Sequence, residues 1–170
     1  YTYTFAGWTP KIETVTGDAT YKATYTKEVN SYTLTYDLDG GEWENDTTYT
    51  YTKKYNEEVE VKADPTKTGY TFAGWTSAEV EVVNGKFTMP AKDVTLKAKW
   101  NVNKYTIKWV NWDGSEVRTD TEVPYGTELE VPEDPTRAAD DQYTYTFKDW
   151  TPEVKTVTGD AVYTAVYDKT

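Results

Sequence analysis

Residues 32–38 alternate without a break. Tyr32, Leu34, Tyr36 and Leu38 share one face, and Thr33, Thr35 and Asp37 share the other. Successive side chains of a strand point to opposite faces, so this is the pattern of a strand with one buried side. Asp39-Gly40-Gly41 then ends it in a turn. A second strand runs up to about Val61 and stops before Asp64-Pro65, because proline has no amide to give a ladder. A third carries the pattern Tyr-Thr-Phe-x-x-Trp from Tyr70 to Trp75. A fourth alternates from Val94 to Trp100. Its counterparts are Ala19, Tyr21, Ala23 and Tyr25 near the start, and Ala161, Tyr163, Ala165 and Tyr167 near the end. Thr16-Gly17-Asp18 and Thr158-Gly159-Asp160 predict hairpin turns ahead of those two. Helical periodicity is weak: Thr136–Asp141 is compatible with one short turn of helix.

These elements recur. Residues 1–26 and 143–168 are identical at 17 of 26 positions without a gap. Tyr70–Thr76 repeats Tyr3–Thr9 letter for letter. Tyr32–Tyr36 corresponds to Tyr105–Trp109, Tyr55–Val61 to Tyr125–Val131, and Asp64–Thr66 to Asp134–Thr136. A fixed period is the mark of repeat architectures. The chain therefore divides into the second half of a module over 1–30, a complete module over 31–103, and a complete, more divergent module over 104–170. The expected fold class is mostly β, with tandem small sheet modules of about four strands and little or no helix.

Three blocks occur in order at matching spacing: YTLTYDLDGG from Tyr32, DPTKTGYTFAGW from Asp64, and VTLKAKW from Val94. Together they resemble the Listeria–Bacteroides repeat, the internalin B-repeat-like module of bacterial cell-surface proteins. The last module departs from the signature, lacking the double glycine and carrying Lys148-Asp149 in place of Ala-Gly. The resemblance implies a β-grasp-like module in the stalk of a secreted or wall-attached protein, outside the cell. It brings no catalytic residues and no ligand.

Composition agrees with strands. Thr occurs 32 times, Tyr 16 and Trp 7, and these are strand formers. Aromatics at 16% also separate the chain from disordered sequences of similar polarity. There is no Cys and no His. Disulfides, thiolate metal sites, Cys nucleophiles and the Ser–His–Asp triad are thereby excluded. The net charge of −11 disfavours nucleic acid and anionic lipid as partners. No apolar run is long enough for a transmembrane helix or signal-peptide core. The first residue is Tyr rather than Met, and the chain is read as part of a longer protein.

Candidate chemistry is thin. Trp8, Trp75 and Trp150 hold one module position and are read as core anchors rather than a stacking platform, because a module of this size needs a large buried ring. The predicted core around Trp75 comprises Phe72, Leu34, Leu96 and Trp100. Around Trp150 it comprises Phe147, Ile107, Tyr163 and Tyr167. Trp43, Trp109 and Trp112 recur less regularly and are the candidates for exposed contacts. Asp37, Asp39, Glu42, Glu44 and Asp46 resemble the start of a calcium loop, but position twelve is Thr48 rather than Glu. Asn111, Asp113 and Glu116 are a thinner set in the next module. The carboxylate pairs Glu57/Glu58, Glu133/Asp134 and Asp140/Asp141 alternate across strand faces, which is wrong for a glycosidase pair. No Lys/Asn/acid set recurs as an isopeptide crosslink would require. Thr47–Thr52 reads as a solvent face, open to O-glycans in a secreted protein.

The expectation is therefore a non-enzymatic spacer with no catalytic, cofactor or metal residues. Its partners are neighbouring modules, with a host protein or glycan as the alternative. Residues 1–30 carry strands three and four without one and two. Such a hairpin is marginal alone, so it is expected to dock by strand addition on a neighbouring molecule or on an edge of 31–103.

Overall fold

The computed structural model describes every residue from Tyr1 to Thr170 and is all-β, with no helix. In chain order the strands are β1 (Thr2–Thr9), β2 (Lys22–Glu28), β3 (Ser31–Asp37), β4 (Thr50–Lys54), β5 (Glu58–Glu60), β6 (Tyr70–Thr76), β7 (Lys86–Thr88), β8 (Val94–Val102), β9 (Lys104–Val110), β10 (Glu116–Pro124), β11 (Tyr145–Thr151) and β12 (Ala161–Lys169). The chain divides into two compact units. One is Tyr1–Pro65 with Gly74–Lys99, and the other is Thr66–Ala73 with Trp100–Thr170.

The same mixed sheet is built twice, in the orders β4-β3-β8-β6 and β10-β9-β12-β11. In each, the first strand of the repeat lies parallel to the fourth: Leu34 faces Val94 and Tyr36 faces Leu96, while Ile107 faces Ala161 and Trp109 faces Tyr163. The outer strands β4, β10 and β11 pair antiparallel with their neighbours. Strict alternation on β3 and β8 puts every second side chain inward. The first core accordingly holds Leu34, Tyr36, Leu38, Val94 and Leu96, closed by Val59, Phe87 and Met89. The second holds Ile107, Trp109, Trp150, Val157, Tyr163 and Ala165.

The Phe-x-x-Trp signature has a local cause. Residues three apart on a regular strand face opposite ways. A one-residue register shift between Phe5 and Gly7, repeated between Phe147 and Asp149, returns both rings to one face. Phe5 and Trp8 lie edge-on at 5.6 Å, and Phe147 and Trp150 meet at 5.5 Å.

Several expectations change. The core of the first unit centres on Leu34, Met89 and Leu96, with Trp75 packed against its flank. Phe72 pairs instead with Trp100 at 5.5 Å, and both fall in the second unit. The second strand of the first complete repeat is broken into β4 and β5 by a turn at Asn56, whose φ is +66°. Its counterpart Gly126 sits at φ +79°. Thr136–Asp141 forms no helix: the Asp140 carboxylate accepts the Gln142 and Tyr143 amides and the Tyr145 hydroxyl, holding an irregular turn. Thr158-Gly159-Asp160 closes a longer loop between β11 and β12 rather than a tight hairpin.

Residues 1–30 form a separate two-stranded sheet, β1-β2. The expected addition to an edge of 31–103 is not made. Only Val29 and Asn30 separate β2 from β3, so a direct return would have to pair with β3. Both sides of β3 are already taken, by β4 and by β8.

Candidate interaction surface

The tryptophans sort by their register. Trp109 stands inward on β9 beside Ile107 and is fully buried, which overturns its reading as an exposed contact. Its ring stacks on Tyr163 at 4.7 Å and meets Trp150 edge-on at 5.0 Å. Its Nε1–H donates to Asp120 at 3.0 Å, and Arg118 Nε donates to the same carboxylate. Trp43 is half-buried. Its ring meets Tyr36 edge-on at 5.4 Å, the Lys62 ammonium lies 3.8 Å over it, and its Nε1–H donates to the Ala63 carbonyl at 2.8 Å. Trp112 alone of the three is exposed, at 50%. The Arg137 guanidinium covers it at 4.0 Å and the Tyr145 ring at 3.6 Å, so one face is already occupied by a cation. Trp150 is 5% exposed, as a core anchor should be, and Trp75 is partly buried. Trp8, at the same module position, is 46% exposed.

The acidic loop is divided among separate partners. Lys97 bonds Asp39 at 2.9 Å and lies 3.8 Å from Asp37, whose carboxylate also accepts the Asp39 amide. Asp46 accepts the Thr48 amide and the Lys62 ammonium. Asp113, in the other repeat, accepts the amide and hydroxyl of Ser115. No three carboxylates converge on one point. Of the carboxylate pairs, Glu57 takes the Lys54 amide and the Lys53 ammonium while Glu58 takes Lys86, so the two turn apart.

These bonds predict acid sensitivity. The Lys62 hydrogen bond, then the Thr48 amide, holds Asp46 below the usual carboxylate range. The Lys54 amide, then Lys53, does so for Glu57. The Tyr145 hydroxyl, then the Gln142 and Tyr143 amides, does so for Asp140. A carboxylate with a depressed folded pKa contributes stability above its unfolded value and loses it as pH falls through the folded one. The melting temperature should therefore drop as pH is lowered from about 4. Asp46→Asn should make that acid slope shallower. An unchanged slope would remove Asp46 from the account.

Two repeated devices were not picked out from sequence. Asp93 Oδ1 accepts the Thr33 amide at 2.7 Å, and Asp160 Oδ1 accepts the Thr106 amide at 2.8 Å. An aspartate before the fourth strand thus tethers the first strand across more than fifty residues of chain. The signal was available, since Asp18, Asp93 and Asp160 all precede a fourth strand. The second device is an asparagine ahead of each first strand. The Asn30 carbonyl accepts the Tyr55 amide and the Asn103 carbonyl accepts the Tyr125 amide, both at 2.8 Å. The side chain of Asn30 accepts the Thr2 hydroxyl, and that of Asn103 accepts the Thr71 hydroxyl.

The geometry is that of a tandem β-repeat protein in which Trp43, Trp75, Trp109 and Trp150 pack on or in the two cores. Comparison with known proteins agrees. The family model of the Listeria–Bacteroides repeat domain matches residues 32–99 and again 105–165, and the chain belongs to this family. It is 35% identical over 119 residues to Internalin H of Listeria monocytogenes, covering 68% of this chain and 20% of that protein. It is 30% identical over 130 residues to a putative membrane protein of Evansella cellulosilytica, covering 75% of this chain and 18% of that one. The chain thus spans about a fifth of the length of these relatives. Among solved structures, tandem SHIRT domains 3–4 of a streptococcal cell-surface protein align over 82% of this chain and 98% of theirs, at 15% identity and a TM-score of 0.29. No helix of the chain is long and apolar enough to cross a membrane.

Proposed function

We propose that the chain is a non-enzymatic spacer segment of a secreted or cell-wall-attached bacterial surface protein, built of a half module over 1–30 and complete modules over 31–103 and 104–170. The observation that carries this is the exact reuse of one sheet plan with almost no chain between copies. Only Asn103 separates β8 from β9, and its backbone is held at both ends, donating to the Gly69 carbonyl and accepting the Tyr125 amide. A repeat joined this way adds length at little cost in ordering a linker. The internalin relative is consistent with a place at the cell surface. The acidic surface keeps neighbouring copies apart.

The test is replacement in the surface-displayed parent protein. Exchanging residues 31–170 for an unrelated tandem β-repeat of equal length should leave display and the activity of the remaining domains unchanged. Host-protein and glycan arrays probed with the isolated chain should give no saturable signal. A saturable ligand whose binding is lost in Trp112→Ala would overturn the spacer reading in favour of adhesion through exposed aromatics.

A further inference from the structure

We propose that each complete repeat is a mechanical clamp, in which tension along the chain is borne as shear between the first and fourth strands. The inference deepens the spacer reading, since it says what such a spacer withstands. Its test is made on the chain by itself, so that the two can fail separately.

Connectivity fixes the path of the force. Asn103 is the one residue between β8 and β9, so tension leaves β8 at its C-terminal end and enters β9 at its N-terminal end. Within a repeat it enters at the start of the first strand and leaves at the end of the fourth. Those two strands are neighbours and run parallel. Leu34, Thr35, Tyr36 and Asp37 face Val94, Thr95, Leu96 and Lys97, and residues 107–110 face 161–164 in the same order. The first strand is drawn toward its N-terminus and the fourth toward its C-terminus, so the pair can part only by sliding lengthwise. The bonds of a parallel ladder are evenly spaced, and the four register pairs are therefore loaded together. The antiparallel pair β9-β10 offers the contrast. Lys104 and Pro124 lie opposite one another at one end of it, so pulling on them opens the ladder one pair at a time.

The clamp occupies the middle of each sheet, with β4 and β6 flanking β3 and β8, and β10 and β11 flanking β9 and β12. Its inner face is the core: Leu34, Tyr36, Val94 and Leu96 in one copy, and Ile107, Trp109, Tyr163 and Ala165 in the other. Hydrogen bonds backed by packed apolar side chains are stronger than the same bonds in water. Side-chain bonds then close the ladder at both ends. At the entry end Asp93 holds the Thr33 amide and Asp160 the Thr106 amide, one position ahead of the paired residues. A bond to an ionised carboxylate is roughly twice as strong as a neutral one. At the far end of the first clamp Lys97 on β8 reaches Asp37 and Asp39. In the second the Tyr167 hydroxyl on β12 donates at 2.8 Å to Asn111, just past β9. The residues at the far end differ between copies, yet each copy closes it with bonds between the same two segments.

The chain has no cysteine, so two introduced cysteines define the points of attachment for single-molecule force spectroscopy on residues 1–170. Lys104→Cys with Thr170→Cys pulls the second clamp in shear. Lys104→Cys with Pro124→Cys peels β10 from β9 in the same unit. At equal pulling speed the rupture force should be several-fold higher in shear. Asp160→Ala and Tyr167→Phe should each lower the shear force and leave the peeling force unchanged. Tyr167→Phe removes only the hydroxyl and keeps the ring against Phe147. Forced unfolding reads the unfolding rate rather than the equilibrium stability, so general destabilisation does not mimic a dependence on direction. Equal forces in the two directions would overturn the proposal and leave the spacer reading in place. Substitutions that weaken both directions alike, or neither, would overturn it too, because those bonds would then lie outside the loaded ladder.

Discussion

Trp109→Ala should unfold the second unit at temperatures where the first remains folded, with a stability loss of about 3–5 kcal/mol. Trp109 is fully buried at the middle of β9, stacked on Tyr163 and edge-on to Trp150. Its loss opens a cavity beneath both rings. It also strips Asp120 of the indole donor, leaving Arg118 as its remaining partner. A small β module has only about 5–15 kcal/mol in total, so a loss of this size reaches the threshold for unfolding. The matched control is Trp8→Ala, at the position equivalent to Trp150 but half in solvent; that change should cost about 1 kcal/mol or less. Denaturant melts followed by tryptophan fluorescence and near-ultraviolet dichroism would separate them. A loss under about 1 kcal/mol for Trp109→Ala would show that the core closes over the gap.

Trp109 also shows what was legible in the chain. By recurrence it looks irregular, because its counterpart in the preceding copy is Tyr36 rather than tryptophan. By register it is unambiguous: Tyr105, Ile107 and Trp109 repeat the spacing of Tyr32, Leu34 and Tyr36, and Tyr36 is buried. Face outweighs identity because the period of a strand is two whatever the side chain. The strands themselves were legible for the same reason, wherever one side is dry. Those with weak alternation were not. The break at Asn56 depends on a left-handed backbone that asparagine tolerates but does not demand. The shift inside Phe-x-x-Trp cannot be seen by counting alternation, since it is what breaks the alternation.

Contacts distant in sequence were the least legible. The Asp93 and Asp160 tethers join residues 60 and 54 apart, and no local pattern announces them. Met89, the one methionine, sits beside Pro90 in a polar stretch yet is fully buried, closing the first core from a loop. An unbranched side chain suits such an irregular gap. The exposure of residues 1–30 was half legible. The repeat marks residues 1–26 as the counterpart of 143–168, but not which edges of the neighbouring sheet were already taken.

Gly69→Ala should be the most damaging single-methyl change in the second unit, costing about 2–4 kcal/mol from two sources. The backbone at Gly69 has φ +79°, where a Cβ is strained by about 1–2 kcal/mol. An added Cβ would also fall 2.1–2.5 Å from Cδ1, Cγ and Cε1 of Tyr125. Those atoms run from the root of the ring along one edge, so rotating the ring about its own axis leaves Cγ in the way and relief means moving the side chain out of the site. Tyr125 is not free to move its backbone either, because its amide is bonded to the Asn103 carbonyl, and the Asn103 amide is bonded to the Gly69 carbonyl. The three residues form a closed loop of contacts in which only glycine leaves room for the ring. The two sources separate in the double variant Gly69→Ala/Tyr125→Ala. If the overlap dominates, Tyr125→Ala should be much less harmful in the Gly69→Ala background than alone, and the pair should be coupled by about 1 kcal/mol or more. Strict additivity would place the whole effect in the backbone of Gly69. A neutral Gly69→Ala would show that the ring packs elsewhere at no cost, contrary to the closed loop of contacts.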